Sequence, residues 1–152
     1  MIALIQRVTE ASVRVDSGVV GSIRSGLLAL VAVQPGDDES VADRLLERVL
    51  GYRVFEDSEG RMNRSLSDTG GELLLVSQFT LAADTRKGMR AGFSTAADPV
   101  TGERLFEYLV SRAKATRTRV ATGRFGAHMQ VSLVNDGPVT FWLESLPRGS
   151  VE

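Results

Sequence analysis

Hydrophobic and polar positions alternate along the first part of the chain in the rhythm of strands. Residues 2–15 (IALIQRVTEASVRV), 19–23 (VVGSI) and 26–33 (GLLALVAV) are apolar, β-rich runs separated by Asp-Ser-Gly and Ser-Gly, a pattern that predicts a three-stranded meander. The rhythm then changes. Val41, Leu45, Leu46, Val49 and Leu50 recur at helical spacing behind Asp37 and Asp38, either of which can cap the helix. A short strand is predicted at residues 52–55, and the polar, glycine-bounded stretch 56–71 reads as a loop with a turn at Glu59-Gly60. Residues 72–81 (ELLLVSQFTL) read as a buried strand and 82–97 as a loop. Asp98-Pro99 starts a second helix, since Asp caps and Pro suits the first helical position, with Leu105, Phe106, Leu109, Val110 and Ala113 as its buried stripe. Strands at 118–122, 127–135 and 139–145 finish the chain, with Gly137-Pro138 predicting a turn where the last two meet.

The expected fold is α/β: one strand-rich domain over residues 1–152, with mixed barrel-like sheets and two main amphipathic helices. A chain of 152 residues can bury a sizeable core. With 43% apolar and 24% charged residues and no long uninterrupted apolar run, it is expected to have no membrane span. The N-terminal run alternates and carries Arg7 early, so it reads as strand and not as a signal peptide.

Chemistry narrows next. The absence of cysteine excludes disulfides, a thiol nucleophile and thiolate metal sites, and fits a reducing cytoplasm; the single histidine, His128, excludes a multi-histidine metal site. The net charge of −1 gives no global pull toward nucleic acid. Yet no acid occurs from Tyr108 to Asn135, a stretch holding Arg112, Lys114, Arg117, Arg119 and Arg124, and a second basic run holds Arg86, Lys87 and Arg90. Such local patches suit one anionic ligand better than a coat on DNA. Arg112 and Lys114 equally suit the C-terminus of a helix, where cations complement the dipole.

In SQFTL (77–81) a core strand turns polar at its end, with Gln78 and Thr80 on one face and Ser77 and Phe79 on the other by alternation. This is either a rigid mount for reactive groups or a strand fraying into solvent. A Ser-His-acid hydrolase would need His128, and no Gly-x-Ser-x-Gly elbow is present. Hydrolysis by this chain would therefore rely on positioning and oriented backbone dipoles.

Through QRV at 6–8, SQFTL at 77–81 and FGAHMQVSLVNDGPVT at 125–140, the chain resembles the D-aminoacyl-tRNA deacylases from Met1 to about Glu144. The resemblance implies a cofactor-free, metal-free, homodimeric cytoplasmic enzyme that hydrolyses the ester joining a D-amino acid to tRNA and also clears glycine mischarged on tRNA-Ala. It implies a cis Gly137-Pro138 bond that reaches into the neighbouring subunit's pocket. There its two carbonyls capture the substrate's α-amino group and fill the space of an L side chain, a check by rejection that glycine passes.

By the same resemblance Ser77, Gln78, Phe79 and Thr80 form the catalytic motif. The Phe79 and Thr80 amides polarise the ester carbonyl, Gln78 positions the terminal ribose, and the 2′-hydroxyl of the terminal adenosine assists the attack. Arg7 buttresses the Gly-Pro loop, and Phe125 and Met129 lie near the adenosine, Met129 being equally suited to core packing. Two positions depart from the family pattern: Ala91, where proline is usual, and His128, where an acid or another polar residue is common. Two other functions fit the residues: a noncatalytic RNA-binding homodimer and a metal-independent esterase of small substrates.

Overall fold

The computed structural model describes residues 1–150, so the last two residues of the expected domain lie outside the described ones. Its elements run β1 (Ile2–Val15), β2 (Gly18–Ile23), β3 (Gly26–Ala32), α1 (Glu39–Gly51), β4 (Phe55–Glu56), β5 (Met62–Arg64), α2 (Leu66–Thr69), β6 (Glu72–Ser77), a 3-10 turn (Phe79–Ala82), α3 (Pro99–Lys114), β7 (Arg119–Thr122) and β8 (Gln130–Glu144). Six strands form one mixed sheet in the order β2-β1-β3-β6-β7, with β8 on the far side of β1. β1 is the spine: residues 2–8 pair antiparallel with β3, residues 11–15 with β2, and β8 runs along its other edge. β3, β6 and β7 are parallel. β7 curls back toward β2, where a Cβ on Gly21 would lie 2.3 Å from the Thr122 carbonyl oxygen, so the sheet is nearly a closed barrel.

The continuous apolar run of β6 follows from burial on both faces. Leu73 and Leu75 join Leu27, Ala29 and Val31 beneath α1 and α3, whereas Leu74 and Val76 join Val8, Val13, Ile23 and Leu28 inside the curled sheet. Both long helices cover the first cluster with the expected stripes, although Leu50 and Val110 are only half-buried. Asp38 caps α1, its carboxylate accepting from the Val41 amide at 3.0 Å. Asp37 instead pairs with the buried α-amino group of Met1 at 2.9 Å. Asp98 caps α3 by accepting from the Thr101 amide at 3.0 Å.

Three expectations need correction. The segment 56–71 is no plain loop: β4 and β5 make a small hairpin, and α2 is held by a reciprocal cap between Ser65 and Asp68. The strand expected over 72–81 stops at Ser77, because its partner β3 ends at Ala32: Gln78 makes the last bond, to the Val31 carbonyl, and the following Val33 carbonyl is taken by the Ala97 amide. The last two strands are one strand, β8, pairing with β1 at both ends. Gln6 opposes Thr140 and Val8 opposes Asn135, so the Gly-Pro segment bulges out of the ladder without reversing the chain.

β3 and β6 approach closely at their start, where a Cβ on Gly26 would sit 1.9 Å from the Glu72 carbonyl oxygen. Gly26→Ala should destabilise the fold by about 1–3 kcal/mol. The check is a lower denaturant midpoint at unchanged slope.

Candidate active site

Where β6 ends, the Gln78 amide donates to the Val31 carbonyl at 2.7 Å, and the chain turns into the 3-10 helix instead of continuing the strand. The alternation expected for residues 77–81 is thereby lost. The Gln78 side-chain amide donates to the Thr80 hydroxyl. Phe79 and Thr80 open the turn, so their amides have no acceptor within it and are available to an outside oxygen. The Phe79 ring is 59% exposed and leans on Phe93, with centroids 5.2 Å apart.

Ser77 and Phe79 line a cavity of about 250 Å³ together with Val31, Val33, Pro99 and Phe125. Its wall is mostly apolar. Phe125 packs on Phe106 with centroids 6.2 Å apart and lies over Gly102, where an added Cβ would make ordinary van der Waals contact with the ring at 3.6 Å. Thr80 faces a second, more open groove of about 600 Å³ with Asp84, Arg86, Trp142 and Glu144. The Asp84 carboxylate is gripped by Arg86 at 2.9 and 2.8 Å, which holds its pKa down to about 2.

The Gly137-Pro138 bond is cis and stands on a clamp. The Arg7 Nε–H donates to the Asp136 carbonyl at 2.8 Å and Nη1 donates to the Val54 carbonyl at 2.7 Å, with the guanidinium largely buried. From the other side the Asn135 amide donates to the carbonyls of Arg7 at 2.9 Å and Val139 at 3.0 Å. These bonds stand in for the ladder bonds that the bulge interrupts. Gly137 has φ of 150°, and a Cβ there would lie 2.6 Å from the Val139 side chain and 2.7 Å from its amide nitrogen.

Within one chain the sequence-predicted residues fall into separate places. Ser77, Phe79 and Phe125 share the apolar cavity, Thr80 opens on the neighbouring groove, and Gly137 and Pro138 line neither. Met129 packs on the inner core cluster, its sulfur accepting from the Arg124 amide at 3.4 Å. His128 and Ala91 are exposed. Sequence reading missed Asn135, Phe93, Gly102, Phe106 and Trp142. Asn135 precedes the quoted Gly-Pro pair and carries the one available signal, a bridging amide at the edge of a motif. The other four read as core or loop.

The basic run is partly consumed by the fold. Arg112 pairs with Asp43 of α1 at 3.2 Å and Arg119 with Glu72 at 3.6 Å. Among the described residues no cluster of three or more His, Cys, Asp or Glu could hold a metal ion, and no helix is long and apolar enough to cross a membrane.

Comparison with known proteins extends these observations. Residues 4–144 match the family described as D-Tyr-tRNA(Tyr) deacylase. A D-aminoacyl-tRNA deacylase of Thioalkalivibrio sulfidiphilus is 70% identical over 97% of this chain and 99% of its own length. One of Methylococcus capsulatus is 65% identical over 97% of this chain and 96% of its own. A solved structure titled c-Myc DNA Unwinding Element Binding Protein superposes with a TM-score of 0.91 at 36% identity, covering 97% of this chain and 100% of that one. Another, a probable eukaryotic D-amino acid tRNA deacylase, superposes at 0.80 with 15% identity, over 94% of this chain and 98% of that one, and shares the fold.

Proposed function

The chain belongs to the D-Tyr-tRNA(Tyr) deacylase family and is an enzyme that hydrolyses D-aminoacyl-tRNA; from that premise we propose that it proofreads chirality as a cytoplasmic homodimer, with each active site shared between subunits. The SQFT turn of one subunit receives the Gly137-Pro138 bulge of the other. The Gly137 and Pro138 carbonyls accept hydrogen bonds from the substrate's α-ammonium and occupy the space an L side chain would need. D side chains point away and escape the check. Glycine has no side chain to reject, so glycine mischarged on tRNA-Ala is cleared as well.

The observation that carries this reading is the double clamp of Arg7 and Asn135, which braces a short bulge from both ends and so suits it to a recognition task. Because Gly137 and Pro138 lie apart from the Ser77 cavity of their own chain, the reading needs the second subunit. Exposed Trp142 on the open groove fits a surface that becomes covered on pairing.

The terminal adenosine enters the apolar cavity against Phe125, and Gln78 positions its ribose. The amides of Phe79 and Thr80 donate to the ester carbonyl oxygen and stabilise the negative charge that grows there as water adds to the carbon. The adenosine 2′-hydroxyl orients the water and relays its proton. The bond from the acyl carbon to the ribose 3′ oxygen breaks and that oxygen takes up the proton, leaving free amino acid and tRNA. No cofactor takes part in this scheme.

The test is the appearance of free amino acid from D-tyrosyl-tRNA and from glycyl-tRNA mischarged on tRNA-Ala, measured beside tRNA retention. Release of both is expected. Retention of tRNA with the ester intact would instead support a noncatalytic RNA-binding homodimer.

A further inference from the structure

Residues 84–93 form a small closed loop whose start, Asp84 to Arg86, lines the Thr80 groove and whose end, Phe93, packs on Phe79 of the Ser77 cavity wall. Its neck is tied by two backbone hydrogen bonds between Asp84 and Gly92, at 2.8 and 2.9 Å. Asp84 also grips Arg86 with both carboxylate oxygens, so that cation is neutralised locally. Lys87 and Arg90 are different. Both are exposed, neither has an ion-pair partner among the described residues, and no acid lies between Thr85 and Ala97. Held out on a tied loop, they keep their full charge for an external anion.

The far stem of the loop ends in Phe93, whose ring is 48% exposed and packs against exposed Phe79 with planes inclined at 51°. Two large aromatic rings left open to solvent at a cavity mouth are unusual on a surface that could have hidden them. Phe79 is itself part of the cavity wall, so a chain leaving the cavity on that side crosses the ring pair and then meets the basic loop. An apolar cavity of about 250 Å³ holds one base and leaves the neighbouring nucleotides outside.

We propose that the Phe79–Phe93 pair and the loop carrying Lys87 and Arg90 form a seat for the single-stranded nucleotides that precede the terminal adenosine of the substrate RNA. Phe93 offers a ring face to a base, and Lys87 and Arg90 neutralise the adjoining phosphates. Aromatic faces interleaved with cations bind single strands in a sequence-tolerant way, which suits an enzyme that must take many tRNAs sharing one unpaired 3′ end. This proposal rests on charged tRNA being the substrate.

The experiment compares the unmodified protein, the Lys87→Ala/Arg90→Ala double variant and Phe93→Leu on two substrates: D-tyrosyl-tRNA, and D-tyrosyl-adenosine, which has no upstream nucleotides. On tRNA the double variant should lose about tenfold in kcat/KM, mainly through KM. Phe93→Leu should lose about fivefold or more. On D-tyrosyl-adenosine the double variant should match the unmodified protein, and Phe93→Leu should lose less than it does on tRNA. In parallel, binding of an uncharged RNA oligonucleotide ending in CCA should lose about 1.4 from its log-log salt slope in the double variant, at about 0.7 per phosphate contact. Equal losses on both substrates, no loss on tRNA, or an altered oligomeric mass in the variants would overturn the proposal. If the unmodified protein cleaves neither substrate, the deacylase mechanism fails, and the oligonucleotide arm still decides whether the loop holds RNA.

Discussion

D-tyrosyl-tRNA ending in 2′-deoxyadenosine should be hydrolysed about 10²–10⁴-fold more slowly than the ribose form, while Thr80→Ala should stay within about tenfold of the unmodified enzyme. The first figure is the usual contribution of a positioned proton-transfer group, here assigned to the substrate's own 2′-hydroxyl. The second follows from the surroundings of Thr80. Its oxygen accepts from the Gln78 amide, an arrangement that orders the turn and does not activate a nucleophile. Asp84 shares the groove, but Arg86 holds its pKa near 2, too low for an effective base at neutral pH. His128 is exposed and lines neither the cavity nor the groove. Removing a true nucleophile costs about 10⁶-fold in a well-studied serine protease. Single-turnover rates separate the cases: an inactive but folded Thr80→Ala, with normal cleavage of the deoxy substrate, would make Thr80 the nucleophile.

Gly137→Ala should lower kcat/KM by about 10²-fold or more with little change in thermal stability. At φ of 150° an added Cβ would press on Val139 at 2.6–2.7 Å, so the backbone of the bulge must move. Gly137 and Pro138 are exposed and outside the core clusters, and Val139 packs only at the margin of one, so the change is taken up locally. Carbonyls displaced by even a fraction of an ångström no longer meet the α-ammonium. Because the two motifs act across the subunit boundary in the proposed dimer, mixing Gly137→Ala with Gln78→Ala subunits should restore partial activity. One of the two active sites of each mixed dimer then has both motifs intact. No recovery on mixing, with subunit exchange verified by mass, would place the two motifs in a single chain's site.

Periodicity was a good guide where one rule governed a segment. The stripes of α1 and α3 and the doubly buried run of β6 follow directly from spacing, because burial alone decides those positions. It was a poor guide where a neighbour decides. Ser77 ends its strand because β3 ends, information that lies more than forty residues away in the chain. Gly137-Pro138 reads as a reversal, yet the chain on both sides returns to β1, and only the pairing partner distinguishes a bulge from a turn. Asp37 and Asp38 looked interchangeable until Met1 claimed the first. The acid-free stretch from Tyr108 to Asn135 looked uniformly basic, whereas Asp43 and Glu72, remote in sequence, neutralise Arg112 and Arg119.

The candidate site is legible in the sequence as two motifs and illegible as a geometry. SQFT and NDGPVT stood out through their chemistry at strand ends, and Arg7 through resemblance, but the bracing role of Asn135 depends on a hydrogen bond spanning 128 residues. The aromatic pair of Phe79 and Phe93 is likewise a product of folding, since a polar loop separates the two in sequence.

On the proposed reading, handedness is checked at the α-carbon by the Gly137 and Pro138 carbonyls. Single-turnover hydrolysis of D- and L-tyrosyl-tRNA by the unmodified protein, on the same tRNA and in the same buffer, tests it most directly. The D ester should be cleaved at least ~10³-fold faster, a difference of about 4 kcal/mol in activation free energy that a steric clash and a lost ammonium contact together can supply. Equal rates for the two esters would contradict it.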